Sequence, residues 1–296
     1  MRWPLGAPAG NHTNGGSGEH RMSLPLVQPE VLRLRAALDS YIRAEVDDGA
    51  SLVCTSAASC RRSVGKATLR EGQASFLGSH YGLTQHGREL RILVVPQQVG
   101  GSLAHGGQRG DEHVTMDERR AQVATSMYGQ RPYPRTTHMV GTEHALQVLL
   151  GLDVDGAREV DIPGGQVHVF ETMAMANTTL CSRVVDGAGG QGSVTMIEKC
   201  SRHLRQTLKL LEPNIVLTQG WTQSGSSPTT AVASALGVAK PAKNTLTEVR
   251  APWGPVALVA ANHPSRNWAE PSRTQWRDLE PVIASARQLV LDHARD

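Results

Sequence analysis

The sequence predicts a three-layer α/β/α fold with a mostly parallel central sheet. Three observations predict it. Short apolar runs end in Pro, Gly or Asn, as at Arg91-Ile92-Leu93-Val94-Val95-Pro96 and Val256-Ala257-Leu258-Val259-Ala260 before Asn262. Such runs suit strands buried on both faces. Between them lie segments with apolar residues at helical spacing, such as Met196 to Leu211 with Ile197, Leu204, Leu208 and Leu211. Strand and helix signals therefore alternate along the chain, which is the pattern of a parallel sheet covered by helices.

The elements follow in order. Residues 1–22 are rich in Gly, Pro, Asn and His and lack periodicity, so they are expected to form a disordered tail. The remainder, 23–296, reads as one domain. Pro29 to Val46 carries Val31, Leu32, Leu34, Leu38, Ile42 and Val46, which predicts a first helix. Cys54 to Cys60 falls in a run of small residues and reads as a loop. The strand 91–95 comes next and enters a Pro/Gly turn at Pro96 to Gly101. Residues 101–132 are polar and Gly-rich and are expected to be an insertion or lid. A helix is predicted from Thr142 to Leu152, then a strand at Val167 to Phe170 leading to Asn177. After the helix 196–211, Pro213 precedes a strand at Ile215 to Leu217. A last helix is predicted over Trp276 to His293. In such folds ligands bind beyond the carboxyl ends of the strands, where Gln97, Gln98, Asn177 and His263 fall.

Composition narrows the function. The net charge is +3, which permits a nucleic-acid partner without arguing for one. No apolar run approaches the roughly 18 residues of a membrane span. The N-terminus lacks a secretory pattern, so a cytoplasmic protein without a membrane partner is expected. In a reducing compartment the cysteines Cys54, Cys60, Cys181 and Cys200 are free thiols or metal ligands sooner than disulfides. No phosphate-loop signature points to a nucleotide cofactor.

Four motifs occur together: Ile92-Leu93-Val94-Val95-Pro96-Gln97-Gln98-Val99-Gly100; Asn177-Thr178-Thr179-Leu180-Cys181; Cys200-Ser201-Arg202-His203-Leu204, continuing to Pro213 and a strand; and His263-Pro264-Ser265. In this order, from about Leu52 to Leu291, they resemble the iron–sulphur-bearing branch of the uracil-DNA glycosylase superfamily. The resemblance implies a glycosylase-like domain over 23–296. It would act in base-excision repair, hydrolysing the N-glycosidic bond of uracil or another deaminated base in DNA. It implies a [4Fe-4S] cluster held by Cys54, Cys60, Cys181 and Cys200, with zinc as the alternative, and DNA as partner to a monomer. The family spaces its first cysteine pair more closely than Cys54 and Cys60.

Each residue has a chemical rationale within that resemblance. Asn177 would read the base, since one amide supplies a donor for uracil O4 and an acceptor for N3–H. His263 would donate to uracil O2 as negative charge develops on the leaving base. Tyr133, after Pro132, would stack on the flipped base. Ser265 and Arg266 would contact DNA. Gln97 and Gln98 occupy the loop where related enzymes carry Asp, Glu or Asn. Gln98 could orient water, but an amide is no general base near neutral pH. That departure leaves two other readings: catalysis with a carboxylate from the insertion, Asp111 or Glu112, or a non-catalytic DNA- or nucleobase-binding module on the same fold.

Overall fold

The computed structural model describes residues 27–70, 75–96, 137–154, 156–184, 192–223, 226–264 and 274–293. It has six helices among these residues: α1 (Pro29–Glu45), α2 (Ala57–Ser63), α3 (Thr137–Leu149), α4 (Val194–Leu211), α5 (Pro228–Leu236) and α6 (Thr274–Asp292). The central sheet contains β2 (Phe76–Leu77), β5 (Ile92–Pro96), β8 (Met173–Met175), β10 (Ile215–Gln219), β11 (Thr245–Ala251) and β12 (Gly254–Ala261). The small strands β1 (Thr68–Arg70) and β9 (Ser182–Val184) pair with each other. So do β3 (Leu83–Gln85) and β4 (Arg88–Leu90), and β6 (Glu159–Ile162) and β7 (Gly165–His168).

The strand order is β11-β12-β10-β5-β8-β2. The four inner strands are parallel, and the two edge strands β11 and β2 are antiparallel to their neighbours. Numbered along the chain, the parallel strands lie in the order 2-1-3-4. The chain leaves β5 toward β8 on one side and returns to β10 on the other. That reversal is a switch point at the carboxyl ends of β5 and β10, the position where open α/β sheets bind ligands.

The side-chain alternation of the strands produces the layers. Ile92, Val94, Met173, Met175, Ile215, Leu217, Ala257, Val259 and Ala261 lie in one core cluster with Met139, Leu146 and Leu149 of α3 and Leu279 and Ile283 of α6. Leu93, Val95, Ala174, Ala176, Val216 and Leu258 lie in a second cluster with residues of α1, α4 and α5. The sheet is therefore covered on both faces, as the apolar runs predict.

Local chemistry sets the boundaries. The Ser193 hydroxyl accepts from the Met196 N–H and caps α4. Its chain turns at Glu212, which is left-handed with φ 45°, just before Pro213. Asn214 then ties the start of β10 to the junction of β4 and β5, its Oδ1 accepting from Arg91 N and its Nδ2 donating to Glu89 O.

Three sequence expectations are corrected. Cys60 lies within α2 and not in a loop, since the helix begins at Ala57. The segment 167–170 is not the sheet strand. Val167 and His168 belong to the β6–β7 hairpin, Val169–Thr172 is a short 3₁₀ helix, and β8 follows it. The helix expected at 142–152 spans 137–149. Among the described residues no helix is long and apolar enough to cross a membrane.

Candidate functional site

Two groups of residues stand out, one at the carboxyl edge of the sheet and one beside it on the N-terminal side of α4. At the edge, Val94 pairs with Met175, and the register runs on past β8: Ala176 N donates to Val94 O, and Thr178 N to Pro96 O at 3.0 Å. Asn177 therefore lies beside the end of β5. Ala176 belongs to the α4-side cluster, so the alternation turns Asn177 toward the α3 side. Asn177 is buried.

On the other side of β5, Gln219 ends β10, paired in register with Pro96 and with Ala261. Gln219 is fully buried on the α3 side. Its Nε2 donates to Thr142 Oγ1 at 2.9 Å, and its Oε1 lies 2.7 Å from His138 Nε2. Thr142 in turn donates to the carbonyl of His138, one helical turn back, at 2.9 Å. His263 stands two residues beyond β12 and is half-buried. Its ring lies 4.7 Å from that of His138, tilted by 30°. The imidazole thus leans inward over β10. Asn177 and His263 flank the switch point on one face of the sheet, their backbones separated by three strand spacings, roughly 14 Å.

His138 and Gln219 were not singled out from the sequence. The only sequence signal for Gln219 is a polar residue closing the apolar strand Ile215-Val216-Leu217-Thr218. His138 follows directly on a polar stretch and is invisible without the fold. Burial, reinforced by the nearby His263, pushes the His138 imidazole down to about 4, against the opposing effect of its bond to Gln219. The ring is therefore neutral at physiological pH. The expected residues Gln97, Gln98, Tyr133, Ser265 and Arg266, with Asp111 and Glu112, lie outside the described residues.

The second group gathers the cysteines. Cys54, Cys60, Cys181 and Cys200 all line one small cavity, together with Lys199 and His203. Cys54 precedes α2, Cys60 is within it, Cys181 lies between Leu180 and β9, and Cys200 is on α4. The Ser63 hydroxyl meets that of Ser193 at 2.6 Å and fastens α2 to the start of α4. The thiols Cys60, Cys181 and Cys200 are buried. Burial raises Cys60, with the Cys54 charge adding and Lys199 opposing. Burial pushes Cys200 up to about 12. His203 Nε2 lies 3.5 Å from Cys54 Sγ, and Tyr41 OH 2.7 Å from His203 Nδ1.

No family model matches this chain, and no curated protein matches it in sequence.

The donor set around the cavity is soft and suits iron–sulphur chemistry or zinc. Among the described residues no three His, Cys, Asp or Glu side chains are gathered about one point as a single ion requires. A four-iron cluster takes one thiolate at each of four corners, which is the number and type of donor that line this cavity. At the sheet edge the arrangement places the Asn177 amide and the His138 and His263 imidazoles about the switch point, polar groups of the kind that hydrogen-bond a flat polar ligand, while the amide of Gln219 is used up in holding His138 and Thr142.

Proposed function

We propose that the protein is a uracil-DNA glycosylase-like enzyme that hydrolyses the N-glycosidic bond of uracil, or of another deaminated base, in DNA. One observation carries the reading: Asn177 and His263 flank the switch point on the same face of four parallel strands ordered 2-1-3-4. The fixed amide donates to uracil O4 and accepts from N3–H. Cytosine presents the opposite pattern at these positions, so the same amide rejects it. The imidazole donates to uracil O2 as the C1′–N1 bond breaks and charge moves onto the base. The Cys54, Cys60, Cys181 and Cys200 thiols hold a [4Fe-4S] cluster whose part is structural, joining α2 to α4.

The test is a glycosylase assay on single- and double-stranded oligonucleotides carrying uracil, hypoxanthine or xanthine, with protein of measured iron content. Asn177→Ala and His263→Ala should each lower turnover on uracil by about 100-fold or more. Undiminished turnover in both variants rejects the assignment. Salt-sensitive DNA binding with no abasic product, even on long incubation, favours the non-catalytic binding module that the Gln97-Gln98 loop also allows.

A further inference from the structure

We infer that His138, fixed by Gln219 as the Nε2–H tautomer, presents its Nδ1 lone pair as the acceptor for the water that attacks the sugar. The inference rests on the glycosylase reading and supplies a nitrogen lone pair that can take the water's proton, which the amides of Gln97 and Gln98 cannot do.

The tautomer follows from a closed chain of hydrogen bonds. The Thr142 hydroxyl has one hydrogen and gives it to the His138 carbonyl oxygen, 2.9 Å away. Thr142 Oγ1 can then only accept from Gln219, so the Gln219 amide turns its Nε2 to Thr142, at 2.9 Å. This leaves Gln219 Oε1 facing His138 Nε2 at 2.7 Å. A carbonyl oxygen only accepts, so Nε2 carries the hydrogen and Nδ1 keeps its lone pair. Gln219 and Thr142 are both fully buried, so water does not compete for these bonds. The position suits the task. His138 opens α3 above the carboxyl end of β10, and its ring lies against His263. Burial keeps it neutral, so the lone pair is present at physiological pH.

The step balances. The C1′–N1 bond breaks and its electron pair leaves on the base, stabilised by His263. The water oxygen bonds to C1′, and its proton passes by way of His138 Nδ1 to the departing base. Products are an abasic sugar and the free base, with no net change in charge.

The experiment is single-turnover cleavage of a uracil oligonucleotide, together with its dissociation constant, for wild type, His138→Ala, His138→Asn and Gln219→Leu. The expected result is a fall of about 100-fold in the cleavage rate for His138→Ala, with DNA affinity unchanged. Partial recovery is expected in His138→Asn, whose amide oxygen still accepts. Gln219→Leu should fall by about tenfold, since it frees the tautomer without removing the ring. ¹⁵N-NMR of the wild type should show His138 protonated at Nε2 alone, a readout that needs no activity. Proton on Nδ1, or a His138→Ala variant that cleaves like the wild type, overturns the inference and leaves the glycosylase reading standing. A wild type that forms no abasic product overturns both.

Discussion

At the residue scale, the edge of the sheet depends on side chains whose protonation is set by burial. His138 is held at about 4, below its ordinary value near 6.5. Between those values the unfolded chain binds a proton that the native ring does not. Its contribution to stability is therefore fully present above pH 6.5 and is lost as the pH falls toward 4. The loss is at most about 3 kcal/mol, and less for the part of the ring open to solvent. His138→Gln removes the titrating group. Its denaturation midpoint should change less between pH 7 and pH 4.5 than that of the wild type, as urea titrations at the two values would measure. A second residue is fixed by space alone. A Cβ at Gly78 would stand 2.3 Å from the Glu171 carbonyl oxygen and 2.5 Å from its carbon. Both are backbone atoms, so neither can swing aside. Gly78→Ala should cost about 1–3 kcal/mol, read as a lower melting temperature.

At the element scale, α4 joins the two sites' supports. Its Ile197, Leu204, Leu208 and Leu211 pack into the α4-side core, while Cys200 and His203 face the thiol cavity. Leu204 is 3% exposed. Leu204→Ala should destabilise the protein by about 2–5 kcal/mol in chemical denaturation. The same helix shows why parts of the fold could be read from the sequence. Its apolar residues recur at helical spacing and it stops before Pro213, so its period and its end were both visible. The buried parallel strands at 92–96, 215–219 and 254–261 were visible for the same reason, as apolar runs bounded by turn residues. The strand β11 was not, because Thr245-Leu246-Thr247-Glu248-Val249-Arg250 is a half-exposed edge strand that reads as mixed polarity. Nor was α2, a seven-residue helix of small and basic residues whose placement comes from Cys60, Val64 and the Ser63–Ser193 contact. At the sheet edge, the position of His263 was legible because it follows an apolar strand, whereas Asn177 was placed after the run 167–170, which folds as part of a hairpin and a 3₁₀ helix ahead of β8. His138 and Gln219 were hidden because their meeting is a fact of the tertiary fold, across 81 positions of chain.

At the scale of the whole molecule, the two sites differ in what depends on them. The sheet and its two helical layers are held by contiguous apolar cores, and α1 enters one of these through Val31, Leu34 and Leu38. By contrast, α2 has only a small satellite core, made of Cys60, Val64 and Leu69 with Cys181 and Met196. A cluster bound by all four cysteines would close the long chain between α2 and α4. In the chain-entropy model a tie over such a length is worth roughly 4–5 kcal/mol. Since burial raises Cys60 and Cys200, a cluster would have to displace their protons, and iron uptake should strengthen as the pH rises. Removing the iron should therefore loosen α2 first and leave the sheet folded. The exposed basic residues Arg61, Arg62 and Lys66 make this measurable with trypsin. Protein stripped of iron by a chelator should be cut within 61–66 well before any site in the sheet, while iron-loaded protein resists there. Cys200→Ser should bind less iron and show the stripped pattern without chelator. Equal cleavage rates at 61–66 with and without iron would mean that the thiols do not carry a tie between these elements, and that the satellite core alone holds α2 in place.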